Sequence, residues 1–422
     1  MTAGLSTAQA VNAYSYLSHL ECGRCKKQYG AEALHGTCEC GSPLLARYDL
    51  NGAKTALTPR ALSSRPCRLW RYHELLPVRA ETNVVSLGEA MTPLLELNRL
   101  AEESGVRALH LKDEGALPTG TFKARGAAVG VSRACELGAR RIAMPTNGNA
   151  GSAWAAYAAR AGRECLVLMP RAAQSICAIE CTVAGAHLGV VNGTLSHAAA
   201  IIRKLAAESD WYDVTTLREP YRIEGKKTIG YEIFEQFGWR VPDVILCPCG
   251  GGVAIIGIHK ALAECKAVGL LQEKKVPRLV AVQSTACAPI PRAWAKRSSE
   301  AEEWTNPGTT LAFGTLVPKP LGDFLILEAL YDTDGCAVAV DEQEIIAAQR
   351  AIGSREGVFV CPEGAATFAA CKRLRADGWI RPTDEVVLLS TGTGLKYPNS
   401  VSEAPPVIDV DNPGRILDLW TR

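Results

Sequence analysis

Residues 108–126 read ALHLKDEGALPTGTFKARG. The apolar run at 108–113 has the length of a short buried strand, and a loop of Pro118, Thr119, Gly120 and Thr121 follows it. Lys123 then stands between Phe122 and Ala124, where an alanine-rich helical pattern begins and runs to about 137. Strand, small-residue loop, lysine and helix make half of a βαβ unit, and the alternation continues outward from it. RIAMP at 141–145 precedes a helix over about 150–161, and ECLVLMP and AHLGVVNG lead to a helix ending near 208. DVILCP precedes a helix over about 253–266; RLVAVQS and CAVAV follow; EVVLLS ends in TGTG. Asp341 with Glu344 three residues on predicts a capped helix start, and VFVCP leads into a helix near 364–377. Alternation of this kind predicts an α/β chain with a mostly parallel sheet.

The composition agrees. At 422 residues the chain is about three times the usual domain length, so two domains are expected. Apolar residues make up 47%, charged residues 21%, and the mean hydropathy is +0.03, which is a chain with ample core. Lys and Arg number 46 against 44 Asp and Glu, so bulk charge draws neither nucleic acid nor an anionic membrane. No apolar run reaches the length of a membrane span, and no basic segment followed by an apolar stretch opens the sequence. A cytoplasmic protein is expected. Residues 1–50 read as a small Cys-rich module, 51–215 as an N-terminal domain carrying the lysine, 216–405 as a C-terminal domain carrying a glycine loop, and 406–422 as an extended arm.

Most of the 16 cysteines sit singly in apolar runs, where a reduced thiol behaves as a small hydrophobe. Cys22, Cys25, Cys38 and Cys40 are the exception. ECGRCKKQYGAEALHGTCECGSP at 21–43 holds a CxxC, twelve residues, and a CxC. Two such knuckles predict a zinc ribbon with a tetrahedral four-thiolate site, structural because no position is left open. Four reduced thiols without a metal is the other reading. His35 and Glu363 are read as a loop residue and a helix-start residue, and Trp154 and Tyr157 as packing on one helix face.

Ligands of open α/β sheets bind at the carboxyl ends of strands. Four loops there are rich in glycine and small polar residues: PTGTFKARG at 118–126, PTNGNAG at 145–151, CPCGGGVA at 247–254 and STGTG at 390–394. Gly250, Gly251 and Gly252 precede a helix, so their N–H groups can converge on a phosphate, although a plain tight turn would explain a glycine triplet alone. EGKKT at 224–228 is no Walker A loop, having Pro220 where its first Gly belongs and Lys227 after the Lys. Lys123 suits a reactive amine, since partial burial lowers its pKa and makes Schiff-base formation with an aldehyde feasible.

In this order the four loops resemble those of pyridoxal-phosphate enzymes of the tryptophan synthase β-subunit fold, fold type II. The fuller likeness is to threonine synthases, and it adds the Cys-rich head, EPYRIEGKKTIGYEI at 219–233, PEGAATFAA at 362–370 and TGTGLKYP at 391–398. It covers most of residues 20–400. The resemblance implies a two-domain parallel-sheet fold with the ribbon-like module appended, and a homodimer. It implies that Lys123 holds pyridoxal 5′-phosphate and serves as general base and acid. By the same likeness Gly250, Gly251, Gly252 and Val253 would cradle the cofactor phosphate, Asn149 would bond its ring hydroxyl, and Thr391 would face its pyridine nitrogen. A hydroxyl there need not keep that nitrogen protonated. Thr146, Asn147 and Gly148 would receive a substrate carboxylate, and Arg222 a substrate phosphate.

Several positions depart from the family's usual pattern. Ala124 replaces an Asp, Ala150 a Thr and Glu219 an Asn, while Thr393 and Tyr397 replace the His and Asp of TGHGLKD. None is expected to touch the cofactor-holding residues; Ala150 and Glu219 fall toward the substrate. The expected activity is therefore conversion of O-phospho-L-homoserine to L-threonine. The alternative is β-elimination or β-replacement on a serine- or threonine-type substrate, as in a dehydratase or a cysteate synthase. A catalytically dead ribbon-bearing adaptor is disfavoured by the near-neutral charge and the intact lysine loop.

Overall fold

The computed structural model describes residues 13–171, 173 and 175–401. The arm expected at 406–422 lies outside the described residues. Among the described residues thirteen strands appear in chain order. A ribbon contributes β1 (Leu17–Cys22), β2 (Gln28–Gly30) and β3 (Leu44–Tyr48). Next come β4 (Leu94–Glu96) and β5 (Ala108–Asp113), then β6 (Arg141–Pro145), β7 (Glu164–Pro170), β8 (His187–Val191) and β9 (Trp211–Asp213). The last are β10 (Val244–Pro248), β11 (Arg278–Ser284), β12 (Cys336–Val340) and β13 (Glu385–Ser390).

They form three sheets, ordered β2-β1-β3, β12-β11-β10-β13-β5-β4 and β8-β7-β6-β9. The ribbon is antiparallel; the four-stranded sheet is parallel throughout, and the six-stranded one is parallel except for β4 against β5. Every residue of β10 and of β13 is buried, as continuous apolar runs covered by helices on both faces should be. The expected division at residue 215 does not follow the sheets. β5 pairs with β13, and β4 with β5, in the six-stranded sheet, so residues 141–213 hold a four-stranded unit inserted between β5 and β10. A sequence pattern reveals that a strand exists, whereas its neighbours are chosen by packing.

The register of β13 on β5 runs from Glu385 opposite Ala108 to Ser390 opposite Asp113. Both strands thus end level, and their following loops leave the sheet side by side. The ribbon docks on the same half of the molecule. Leu17, Leu20, Ala46 and Cys38 share one apolar cluster with the helices Arg222–Gln236 and Val253–Ala267. Tyr48 donates to Glu224 (2.8 Å), and the Ala31 carbonyl accepts from Arg133 (2.7 Å). The capped start at Asp341 is present: Glu344 N–H donates to Asp341 (2.9 Å) and Asp341 N–H to Glu344 (2.8 Å). Among the described residues no helix is long and apolar enough to cross a membrane.

Candidate active site

The loop after β5 is stitched to the loop after β13. Phe122 N–H donates to the Thr391 carbonyl (2.9 Å), Thr393 N–H donates to the Gly120 carbonyl (2.9 Å), and Thr121 bridges Gly392. Lys123 opens the helix Lys123–Glu136 directly beyond these contacts, so Thr391 is brought next to it. The amine is half-buried and lies 4.0 Å from the centre of the Phe122 ring. Burial pushes it down to about 8, with Glu363 opposing that shift and Arg222 adding to it.

Two residues beyond Lys123 an ionic cluster anchors the helix. Arg125 grips Glu114 with two N–H···O bonds (2.6 and 2.8 Å) and bonds Glu232, which Lys112 also contacts at 2.7 Å. All four side chains are fully buried. Lys226, on Arg222–Gln236, donates to the Phe122 carbonyl and lies 3.9 Å from the centre of the same ring as Lys123. Burial and the neighbouring Lys123 push Lys226 well below the ordinary lysine range. Lys227 points elsewhere, into Glu224 (2.6 Å) and Glu264 (3.0 Å).

Gly250, Gly251 and Gly252 end at the helix Val253–Ala267. A Cβ at Gly250 would stand 2.4 Å from the Gly314 carbonyl oxygen, and Gly252 has φ +74° with Ile326 2.2 Å from where a Cβ would be. Only glycine fits this cradle, and a phosphate on the N-terminus of a 15-residue helix is the ligand such a loop suits. Gly314 leads onward: its N–H donates to Glu363 (2.8 Å), Glu363 accepts from the Tyr397 hydroxyl (3.0 Å), and Tyr397 accepts from Asn149 (3.0 Å). Cys361, two residues before Glu363, lies 3.6 Å from the Thr391 hydroxyl. The glycine loop is thus linked through Gly314 and Glu363 to Tyr397 and Asn149, while Thr391 is bonded to the loop that carries Lys123. The expectation that no departing residue touches the cofactor-holding set is overturned, because Tyr397 bonds Asn149. Glu363 does start a helix, but Cys361 is its cap, and the carboxyl faces the site.

The expected substrate residues fare differently. Thr146 is buried and accepts from the N–H groups of Gly148 (3.0 Å) and Gly151 (3.3 Å), so its side chain caps the helix Asn149–Arg160. Asn147 is half-buried in the same turn. Arg222 is no free cation. It donates to Glu219 (3.2 Å), to Thr216 (2.8 Å) and to the Val214 carbonyl, and it stacks 4.9 Å from the centre of the Trp154 ring. Burial pushes the Glu219 carboxyl up and the Arg222 guanidinium down. Arg125, Lys226, Glu363 and Tyr397 were not foreseen at the site. Their only signal was a charged or polar residue inside an apolar helix or beside a Gly-rich loop.

In the ribbon, the sulfur atoms of Cys22, Cys25, Cys38 and Cys40 all lie within 4.8 Å of one another. The N–H groups of Arg24 and Cys25 donate to Cys22 Sγ (both 3.4 Å), which suits a thiolate. The donor set and its compactness fit a tetrahedral zinc ion. His35 stays outside, bonded to the Gly30 carbonyl (2.8 Å). A groove of about 400 Å³ between ribbon and four-stranded sheet, lined in part by Leu34, Arg203 and Trp211, shares no residue with the Lys123 site.

A half-buried lysine opening a helix after a strand-end loop, in an α/β chain that also carries a glycine-built cradle at a helix N-terminus, points to a class: pyridoxal-phosphate enzymes of the open α/β type. Residues 85–392 match the family model described as pyridoxal-phosphate dependent enzyme. Solved structures with the same fold include maize serine racemase, at TM-score 0.62 and 19% identity, covering 78% of this chain and 92% of that one. A threonine deaminase from T.th. aligns at TM-score 0.62 and 25% identity, over 75% of this chain and 94% of its own. The threonine synthase of Methanocaldococcus jannaschii is 36% identical over 92% of this chain and 96% of its own length. That of Methanosarcina acetivorans is 34% identical over 93% and 96%. The chain belongs to the threonine synthase family of pyridoxal-phosphate dependent enzymes.

Proposed function

We propose that the chain converts O-phospho-L-homoserine and water to L-threonine and phosphate. The observation that carries this reading is the match to threonine synthases along 92% of the chain. Bound pyridoxal phosphate supplies the electron sink that acidifies the substrate carbons near its nitrogen. Gly250, Gly251, Gly252 and Val253 would hold the cofactor phosphate through backbone N–H groups at a helix N-terminus. Asn149 would bond the ring hydroxyl, and Thr391 would face the pyridine nitrogen. Lys123 would take a proton from Cα and one from Cβ as the Cγ–O bond breaks and phosphate departs. It would then return one proton to Cγ, take one from the water whose oxygen adds at Cβ, return one to Cα and pass the remaining one to the departed phosphate. One mobile amine serves all these positions. In the Thr146–Gly148 turn, where the Thr146 and Gly148 N–H groups are already bonded to the Leu168 carbonyl and the Thr146 hydroxyl, the Asn147 N–H and side chain would take the substrate carboxylate. Arg222 offers the substrate phosphate its remaining N–H groups.

A second reading draws on one observation, the Glu219–Arg222 pair. A carboxylate that already neutralises the phosphate-binding arginine favours a substrate without phosphate, processed by β-elimination. Assay of the holoenzyme separates the two. Phosphate and threonine released from phosphohomoserine are expected; 2-oxobutyrate or pyruvate from threonine or serine, with no phosphate released, would replace the first reading by the second. Lys123→Ala is expected to abolish both the absorbance of lysine-bound cofactor and turnover. The four cysteines hold one structural zinc ion in this proposal, checked by metal analysis. The protein works as a cytoplasmic homodimer, checked by light scattering.

A further inference from the structure

Asn149 is gripped at both ends of its carboxamide. The Cys177 thiol donates to Oδ1 (3.4 Å), and Nδ2 donates to the Tyr397 hydroxyl (3.0 Å). Tyr397 donates in turn to Glu363 Oε1 (3.0 Å), which also accepts the Gly314 N–H (2.8 Å). With a thiol proton at one end and a carboxyl acceptor at the other, the chain has one consistent direction: S–H to Oδ1, Nδ2–H to the hydroxyl, O–H to Oε1. One hydrogen of Nδ2 is left over. Tyr397 and Glu363 are 6% and 3% exposed, so solvent does not compete for these bonds. The Tyr397 ring is held 5.3 Å from that of Phe313. Glu363 Oε2 is buried without a partner, as expected of a carboxyl kept for its other oxygen, and burial favours its neutral form.

We propose that Tyr397 and Glu363 are positioning residues for the cofactor, holding Asn149 so that its remaining amide hydrogen, and not its oxygen, meets the ring hydroxyl oxygen of pyridoxal phosphate. The inference rests on the cofactor assigned above and is independent of the substrate. Residue 397 is where the resemblance expects Asp, so the arrangement is this chain's own. An Asn149 turned the other way would present a lone pair to the ring oxygen and force a proton onto it, and the cofactor form with a protonated ring oxygen absorbs at shorter wavelength.

The test compares spectra of the holoenzymes and titrates cofactor into the cofactor-free chains. Tyr397→Phe keeps the ring and removes the hydroxyl; part of the long-wavelength band is expected to move to shorter wavelength, with the cofactor Kd rising about five- to tenfold. Glu363→Gln still accepts from Tyr397 and Gly314 and is expected to stay within about twofold of wild type, whereas Glu363→Leu reproduces the loss. In an Asn149→Ala background, Tyr397→Phe is expected to add nothing, since its effect passes through Asn149. A wild-type band and Kd in Tyr397→Phe, or an undiminished penalty in the Asn149→Ala background, would overturn the proposal. Should Glu363→Leu fail to fold, the Tyr397 and Asn149 cycle decides alone. No lysine-bound band in the wild type would instead remove the cofactor reading itself.

Discussion

Lys123 is a weak base for a lysine because the loops after β5 and β13 close over it, and burial penalises the ammonium. Only the neutral amine attacks an aldehyde, so the cofactor-free chain is expected to bind pyridoxal phosphate faster as pH rises through about 8, then level off. An ordinary lysine would keep gaining rate to about pH 10. Stopped-flow reconstitution across pH 6–10, an interval of about four units, reads this directly. Glu219 and Arg222 define the other decisive pair. Glu219→Gln keeps an acceptor for the Tyr221 and Arg222 N–H groups but removes the charge. If phosphohomoserine is the substrate, its KM is expected to fall about fivefold, the order that removing one neighbouring like charge brings. An unchanged KM would place the substrate phosphate elsewhere.

At the scale of elements, the helix bearing Lys123 is located by ions as well as by its apolar face. Arg125, Glu114, Glu232 and Lys112 tie Lys123–Glu136 to β5 and to Arg222–Gln236. Arg125→Met leaves Glu114 without its cation in a dry interior, which is expected to cost about 3–5 kcal/mol of stability and to loosen cofactor binding. Chemical denaturation and a cofactor titration check the two effects. The elements themselves were legible in the sequence. The strands expected at 108–113, 141–145 and 244–248 occur at those residues, and the helix starts expected near 123, 150, 253 and 364 lie within about two residues of expectation, the usual tolerance of helix ends. The helices Ser175–Val183 and Asp323–Asp332 were not expected. Buried parallel strands and alanine-rich helices carry strong periodic signals. The ionic cluster was not legible, because Arg125 and Glu232 are separated by 107 residues and meet only across two packed helices.

In the whole molecule the ribbon is part of the main core. Tyr48 reaches Glu224 on the helix that also carries Arg222 and Lys226, and Arg133 reaches the ribbon's Ala31 carbonyl. Loss of the four-sulfur centre should therefore be felt well beyond it. Cys40→Ser, or a strong chelator, is expected to lower stability by at least ~2 kcal/mol, about 2 °C in Tm for a chain of this length. Calorimetry with metal analysis measures both, and an unchanged Tm with one metal ion removed would show the ribbon to be dispensable.

The sequence by itself determined the alternating architecture, the lysine, glycine and hydroxyl loops at strand ends, and the cysteine cluster. Each is written in residues close together along the chain, where periodicity and turn chemistry act locally. Only the tertiary structure decided that β4 and β5 join the six-stranded sheet, that Glu219 neutralises Arg222 against Trp154, and that Tyr397 reaches Asn149 from 248 residues away. These depend on which strand ends become neighbours. That choice is made by burying whole faces together, and no local pattern carries it.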